Sequence, residues 1–524
     1  MKKLFLMACF LPLIGQIKAQ QYPTLQEQQN RLTQLVKNNP KWVSIQSLAK
    51  TSGGKDIWVV TLGTGKTETK PAIAVVGGVE GTHLLGTELV IQFAEKLLKQ
   101  IDKDSVQKLL TENTYYLFPN MSPDAMETYF SNLTFERLGN ANNTDDDRDG
   151  KTNEDAFDDL DGNGKITMMR VESPVGIYKL HPDDPRVLIK ADISKGEKGK
   201  YLLLSEGIDN DKDGQFNEDG VGGIHFNKNL TYKHKTFAAG AGEFPASEIE
   251  TRALLDFLYD AFNVYAVVSF SSLNNLSAND DKITTVVSEL YNKTMGAKDA
   301  PKPTAEGGDF MSWAYQHYGR FSFSTPGWWV PKAKPDTAKK EKAFTVEDAT
   351  ANYLRWSAQQ GLNHFTDWKT VQHPDFPNQV VQVGGVDPYV MINPPYKMVD
   401  SIASKHTMFL TKLVNLKPQV VIQKVETQRL SNGLTKITID VSNAGMLPTH
   451  SKFADRNYFV KRLKVALQLN DKQQLIGGKK LELLNNMEPH TMQQFSWIVK
   501  GTGSITVEAG SPAIGLTTKA ISLQ

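Results

Sequence analysis

Three acidic runs in this chain space oxygen-bearing side chains two residues apart and place a glycine sixth. The first is Asp145-Asp-Asp147-Arg-Asp149-Gly150, followed by Asn153, Glu154 and Asp155. The second is Asp209-Asn-Asp211-Lys-Asp213-Gly214, followed by Asn217, Glu218 and Asp219. A related third run is Asp159-Leu-Asp161-Gly-Asn163-Gly164. Alternating oxygens with a turn at glycine are how a tight loop wraps a hard cation such as calcium. Carboxylates packed this densely repel one another unless a cation neutralises them, so calcium is the expected cofactor. The alternative is a set of solvated acidic loops. Position twelve is Ala156, Arg170 or Gly220, so no run carries the bidentate glutamate of an EF-hand.

The elements around these runs follow from apolar spacing. Ala72 to Val76, Tyr115 to Phe118 and Val264 to Phe270 are short apolar runs that predict buried strands. Val90, Phe93, Ala94, Leu97 and Ile101 recur at helical spacing. Ser247-Glu248-Ile249-Glu250 has the form of a capping box, and Leu254, Leu255, Leu258 and Ala261 make the apolar face of the helix it opens. Strands alternating with helices predict an α/β sheet with function at the loops beyond the strand ends. From about Lys417 the pattern changes: Ile437, Ile439 and Val441, then Ile505 and Val507, alternate with polar residues. That predicts a C-terminal all-β sandwich over 417–524, acting as a structural or binding accessory.

The segment Gly77-Gly78-Val79-Glu80-Gly81-Thr82-His83-Leu84-Leu85-Gly86 resembles the ligand loop of the zinc metallocarboxypeptidase family, Gly-Gly-x-His-Gly-x-Glu-x-x-Gly. Glu80 stands in the His slot and His83 in the Glu slot. Pro119 to Phe130 is similar to the family's Asn-Pro-Asp-Gly segment. Gly223-Ile224-His225-Phe226-Asn227-Lys228-Asn229 is similar to its Asp-x-Asn-Arg-Asn segment. Ser269 to Ser272 resembles the strand end bearing the third zinc ligand, and Phe323 to Pro326 the strand that ends in the general-base glutamate. The resemblance runs from about Thr24 to Asn415. It implies a mixed twisted sheet with helices on both faces over 20–416, with the acidic runs in an insertion at about 140–220.

The departures from the family fall on its chemistry. Zinc and a base glutamate would activate water for attack on a peptide carbonyl. Here Ser271 replaces the third ligand and Pro326 the base, so the resemblance leaves no catalytic residue. Glu80, His83, Ser271 and His225 form a vestigial or rearranged metal site, which makes zinc doubtful. His225 occupies the slot of the Asp that supports the first zinc ligand, so a Glu80–His225 ion pair is expected. The alternative is a relocated zinc or iron site of Glu80, His83 and His225. Arg137, Asn227 and Lys228 fall in substrate-binding positions, with Lys228 where the family has a bidentate arginine. His181, His317 and His364 lie without metal spacing. Trp328 and Trp329 suit core or rim packing, and the run from Lys332 to Lys342 suits a solvated loop.

Lys2-Lys3, an apolar run from Leu4 to Ile14 and Ile17-Lys18-Ala19 read as a secretory signal over 1–19, implying a secreted or periplasmic protein. Cys9, the only cysteine, would leave with it, so no disulfide is expected. Losing Lys2, Lys3 and Lys18 takes the 59 basic residues below the 58 acidic ones, which argues against nucleic acid as a partner. No later stretch is apolar enough to span a membrane. The leading expectation is an inactive carboxypeptidase-like protein that binds a peptide, a protein C-terminus or an envelope ligand in the old cleft. An active metallohydrolase with a rebuilt site and a structural surface or assembly protein are the alternatives.

Overall fold

The computed structural model describes residues 21–145, 149–217, 222–277, 282–296, 298–338 and 341–523. The expected secretory signal over 1–19 and the expected ligands Asp147, Glu218 and Asp219 lie outside the described residues. Strands β1 (Val43–Lys50), β2 (Asp56–Leu62), β3 (Ala72–Val76) and β4 (Thr114–Phe118) come first. An excursion adds β5 (Met168–Glu172), β6 (Tyr178–Leu180), β7 (Leu188–Lys190) and β8 (Tyr201–Ser205). Then β9 (Val264–Phe270) and β10 (Phe321–Thr325) complete the central sheet, of order β1-β2-β4-β3-β9-β10. β1, β2 and β4 pair antiparallel, whereas β4, β3, β9 and β10 pair parallel, so the sheet is mixed. The four parallel strands therefore end along one edge, where α/β sheets carry their sites.

The helices are α1 (Leu25–Asn38), α2 (Leu84–Leu98), α3 (Asp104–Glu112), α4 (Pro123–Met126), α5 (Ile249–Asp260), α6 (Lys282–Met295), α7 (Phe310–Gln316), α8 (Ala349–Gln359) and α9 (Tyr396–Leu413). Successive strand residues point to opposite faces, and here both faces are covered. Ile73 and Val75 share a core with Leu89 and Phe93 of α2 and Phe409 of α9. Ala72, Ala74 and Val76 pack instead with Leu254 and Leu258 of α5 and Trp313 of α7. Double burial is why these strands are continuous apolar runs.

The insertion is more than acidic loops. Its strands β5 to β8 join β11 (Phe365–Val371) and β12 (Val381–Val386) in a second six-stranded sheet, β11-β12-β5-β8-β6-β7. The C-terminal region contains β13 (Val420–Arg429), β14 (Leu434–Asn443), β15 (Lys464–Gln468), β16 (Gln474–Gly477), β17 (Leu481–Leu483), β18 (Met492–Lys500), β19 (Gly503–Ser511) and β20 (Gly515–Leu523). They form two four-stranded sheets, β13-β14-β18-β16 and β17-β15-β19-β20, whose inward Ile437, Ile439, Val465 and Val507 share one core. This is a β-sandwich.

One local expectation is corrected. Ser247 to Glu250 does not form a capping box: α5 has Glu248 as its N-cap, with no side-chain cap bond. Both glutamates are drawn instead to Asn140, whose Nδ2 donates to Glu248 at 2.6 Å and Glu250 at 2.7 Å. Ser247 Oγ donates to Glu248.

α1 is fastened to α2 by Arg31, which reaches Glu88 at 2.8 Å and Glu95 at 2.7 Å. Glu88 is buried and also accepts from Gln92 and Tyr396. Removing the arginine strands a buried carboxylate, which costs more than a surface pair is worth. Arg31→Ala is expected to lower the unfolding free energy by about 2–3 kcal/mol in urea titrations, and Arg31→Lys by less.

Candidate functional site

β3 ends at Val76, and the chain turns through Gly77 and Gly78 towards α2. Gly78 has φ of 57°, and a Cβ there would lie 2.3 Å from Asn120 Oδ1, so the turn needs glycine. Glu80 follows with its carboxylate ringed by donors. Asn227 Nδ2 donates to Oε1 at 2.8 Å, Ser272 Oγ at 2.9 Å and Ser272 N at 3.2 Å. Desolvation pushes Glu80 up to about 7 against the pull of these donors.

His83 N-caps α2 by position but makes no side-chain cap bond. Its ring lies buried between two carbonyl oxygens, Nε2 3.0 Å from Pro326 O and Nδ1 3.3 Å from Phe270 O. A neutral imidazole has one N–H, so only one of these contacts is a hydrogen bond in either tautomer. Burial pushes its pKa down to about 4. Gly86 makes room for the ring: a Cβ there would lie 2.9 Å from His83 Nδ1.

Ser271, just past β9, is buried, with Oγ 3.0 Å from Ser324 Oγ and accepting from Leu273 N at 3.1 Å. Pro326, just past β10, offers its carbonyl to His83 and no side-chain proton acceptor. The next carbonyl, Gly327 O, lies 2.9 Å from Nε2 of buried His406.

The expected Glu80–His225 pair does not form. Among the described residues no ion pair or hydrogen bond joins them. The His225 ring packs on Gly240, where a Cβ would lie 2.5 Å from its Nε2, and burial pushes its pKa down to about 4. Asn227 takes its place on Glu80, and its Oδ1 accepts from Phe310 N at 2.9 Å at the start of α7. Lys228 Nζ donates to Ala239 O at 3.1 Å. Arg137 is buried and turned to its own loop, donating to Gly139 O at 3.1 Å and to Asn140 O.

Zinc needs lone pairs aimed at one point. Here the carboxylate faces donors, the imidazole faces carbonyls and the hydroxyl lies in a serine cluster, so this set does not fit the ion. Among the described residues, His, Asp and Glu side chains converge within 4.8 Å in two groups of three, neither containing Glu80, His83 or His225.

Those groups are Asp159, Asp161 and Glu206, and Asp209, Asp211 and Asp213. Each acidic run closes in the same way. The first aspartate accepts from the sixth-position glycine N–H: Asp145 from Gly150 at 3.1 Å, Asp159 from Gly164 at 2.7 Å, Asp209 from Gly214 at 3.0 Å. All three glycines have positive φ, 92°, 79° and 95°. In the first run Lys151 Nζ lies 2.6 Å from Asp149 and 3.3 Å from Glu154. Asp155 is buried and ties this run to the 209–217 run, accepting from Asn210 N and Asn217 N. Asn163 Oδ1 accepts from Lys165 N. Glu206, which spacing alone did not flag, is fully buried and accepts from Leu160 N and Thr167 N. Its only sequence signal is its place three residues before Asp209.

Residues 29–280 match the family model described as zinc carboxypeptidase. This part of the chain is similar to the zinc metallocarboxypeptidase family. Residues 419–522 match a model described as a domain of unknown function. Carboxypeptidase SOL1 of Arabidopsis thaliana is 26% identical over 131 residues, covering 24% of this chain and 25% of that protein. Carboxypeptidase E of Caenorhabditis elegans is 28% identical over 142 residues, covering 25% and 28%. The chain thus spans about a quarter of the length of these relatives. The solved thrombin activatable fibrinolysis inhibitor is 12% identical with a TM-score of 0.37, covering 75% of this chain and 73% of that one.

Burial of the Glu80 carboxyl makes the stability of the fold depend on pH. The carboxyl titrates near 4.5 unfolded and near 7 folded, so between these values the folded state holds the extra proton and stability falls as pH rises. Glu80→Gln cannot lose that proton. Its stability relative to the unmodified protein is expected to improve by about 2–3 kcal/mol between pH 4.5 and pH 8, measured by urea unfolding.

Proposed function

We propose that this carboxypeptidase-like protein has no peptidase chemistry and holds a peptide or envelope ligand in the cleft at the strand ends. The observation carrying the reading is His83, whose two ring nitrogens face the carbonyls of Phe270 and Pro326. With Ser271 held in a serine cluster and Pro326 in the base position, neither an activated water nor a proton acceptor is provided for. What the cleft offers instead is the exposed Ser272 hydroxyl beside the carboxylate of Glu80. The leader-like N-terminus supports export, and no described helix is long and apolar enough to cross a membrane. The sandwich from about residue 417 serves as an accessory domain.

The purified protein is expected to retain no stoichiometric zinc after mild dialysis and to release no C-terminal residue from peptides. A general base contributes about a hundred- to ten-thousand-fold, yet Pro326→Glu alone should restore nothing without a metal site. Zinc at about one per chain that vanishes in Glu80→Ala, or hydrolysis abolished by transition-metal chelators, would establish a rebuilt metallohydrolase instead.

Calcium in the acidic runs is the second part of the proposal. It is supported by the convergence of Asp159, Asp161 and Glu206 and of Asp209, Asp211 and Asp213, and by Asp209 Oδ1, which is buried without a partner. An ion bound only by the folded state adds stability by mass action. Thermal melts with calcium are expected to exceed melts with a chelator by several degrees. Coincident melts, with unchanged proteolysis over 145–219, would remove calcium from the proposal.

A further inference from the structure

A cavity of 670 Å³ opens one residue beyond Pro326, between the segment from Gly327 to Pro335, the end of α6, and the faces of α8 and α9. That volume suits a small-molecule site. Its walls are aromatic and held in place. Trp328 packs on Trp356 with ring centroids 5.6 Å apart, and Trp329 Nε1 donates to Lys298 O at 2.8 Å. Neither tryptophan is fully buried, so both keep surface facing the cavity.

The rim is basic. Lys332 and Lys334, from the run expected to be only a solvated loop, line it together with Lys298, Arg355 and Lys405, against the two acids Asp299 and Glu347. Lys332 pairs with Glu347 at 3.1 Å, and Lys405 Nζ donates to Met295 O at 2.9 Å. Arg355 lies 3.5 Å from the centre of the Phe344 ring. Among the described residues the ammonium groups of Lys298 and Lys334 have no ion-pair partner. Aromatic walls under unmatched positive charge are complementary to a flat apolar body carrying an anion.

We infer that this cavity is a second binding site, separate from the cleft at Glu80, for a small organic anion with an aromatic body. The tryptophans receive the ring, and Lys298 and Lys334 receive the anionic group.

Titration calorimetry with N-acetyl-phenylalanine and phenyl phosphate tests the carboxylate and phosphate forms of that anion, with N-acetyl-phenylalaninamide as the uncharged control. At least one anion is expected to bind saturably, with the amide weaker by about tenfold or more. Lys298→Met combined with Lys334→Met should weaken the anion by a similar factor without shifting the thermal melt, because both side chains are exposed. Trp329→Phe should weaken all three ligands. Raising salt should weaken only the anions. Three results would overturn the inference: no saturable binding of either anion at millimolar concentration, equal affinity for anion and amide, or affinity unchanged in the double lysine variant. Binding lost in Glu80→Gln but kept in the lysine variant would place the ligand in the other cleft, and would also overturn it.

Discussion

The carboxylate of Glu80 sits where desolvation would drive it to neutrality, and the segments around it are placed so that donors reach it. Ser272 supplies its N–H and hydroxyl from just beyond β9, and Asn227 its amide from the turn before Asn229. The other end of Asn227 accepts from Phe310 N and so fixes the start of α7. Glu80 and Asn227 together thereby link the ends of β3 and β9 to the start of α7. A carboxylate surrounded by donors in this way is a structural acceptor. Its Oε1 takes Asn227 Nδ2 and Ser272 Oγ, and Ser272 N is shared between Oε1 at 3.2 Å and Oε2 at 3.3 Å.

The central sheet was legible because burial on both faces leaves no alternation to misread: Ala72–Val76 and Val264–Phe270 are apolar at nearly every position. The sandwich was legible for the opposite reason, since Ile437, Ile439 and Val441 alternate strictly with polar neighbours. The second sheet was not. Its β6 and β7 are three residues long and neither is fully buried, too short to show a period of two. In the site, the types at Ser271 and Pro326 could be read through the family resemblance, but the partners could not. His225 was expected on Glu80, yet its ring turns to Gly240 and Asn227 reaches the carboxylate two residues later. A slot in a motif places a Cα. It does not choose the rotamer, which is set by packing and by whichever donors are nearby.

The acidic runs divide along the same line. Glycine at the sixth position predicts the turn, and the positive φ at Gly150, Gly164 and Gly214 with the repeated aspartate-to-glycine hydrogen bond is that turn. How the runs meet depends on tertiary structure. Asp155 is drawn out of the first run to accept from Asn210 and Asn217, and Glu206 enters from the end of β8 to complete a group begun by Asp159 and Asp161. Neither is visible in spacing, because each acts across a fold rather than along a loop.

The replacements at the sheet edge depend on one another. Histidine at position 80 would leave Asn227 Nδ2 and the Ser272 donors facing a ring with at most one acceptor nitrogen. Glutamate at position 83 would set a carboxylate against the carbonyls of Phe270 and Pro326, where only a donor is tolerated. Each unsatisfied buried group costs about 1–3 kcal/mol, so any single step back towards the zinc-binding arrangement loses stability before it gains a ligand. Sites that share partners in this way do not respond additively. Glu80, His83 and the carbonyl of Pro326 therefore form one packing of the strand ends, held by its own hydrogen bonds.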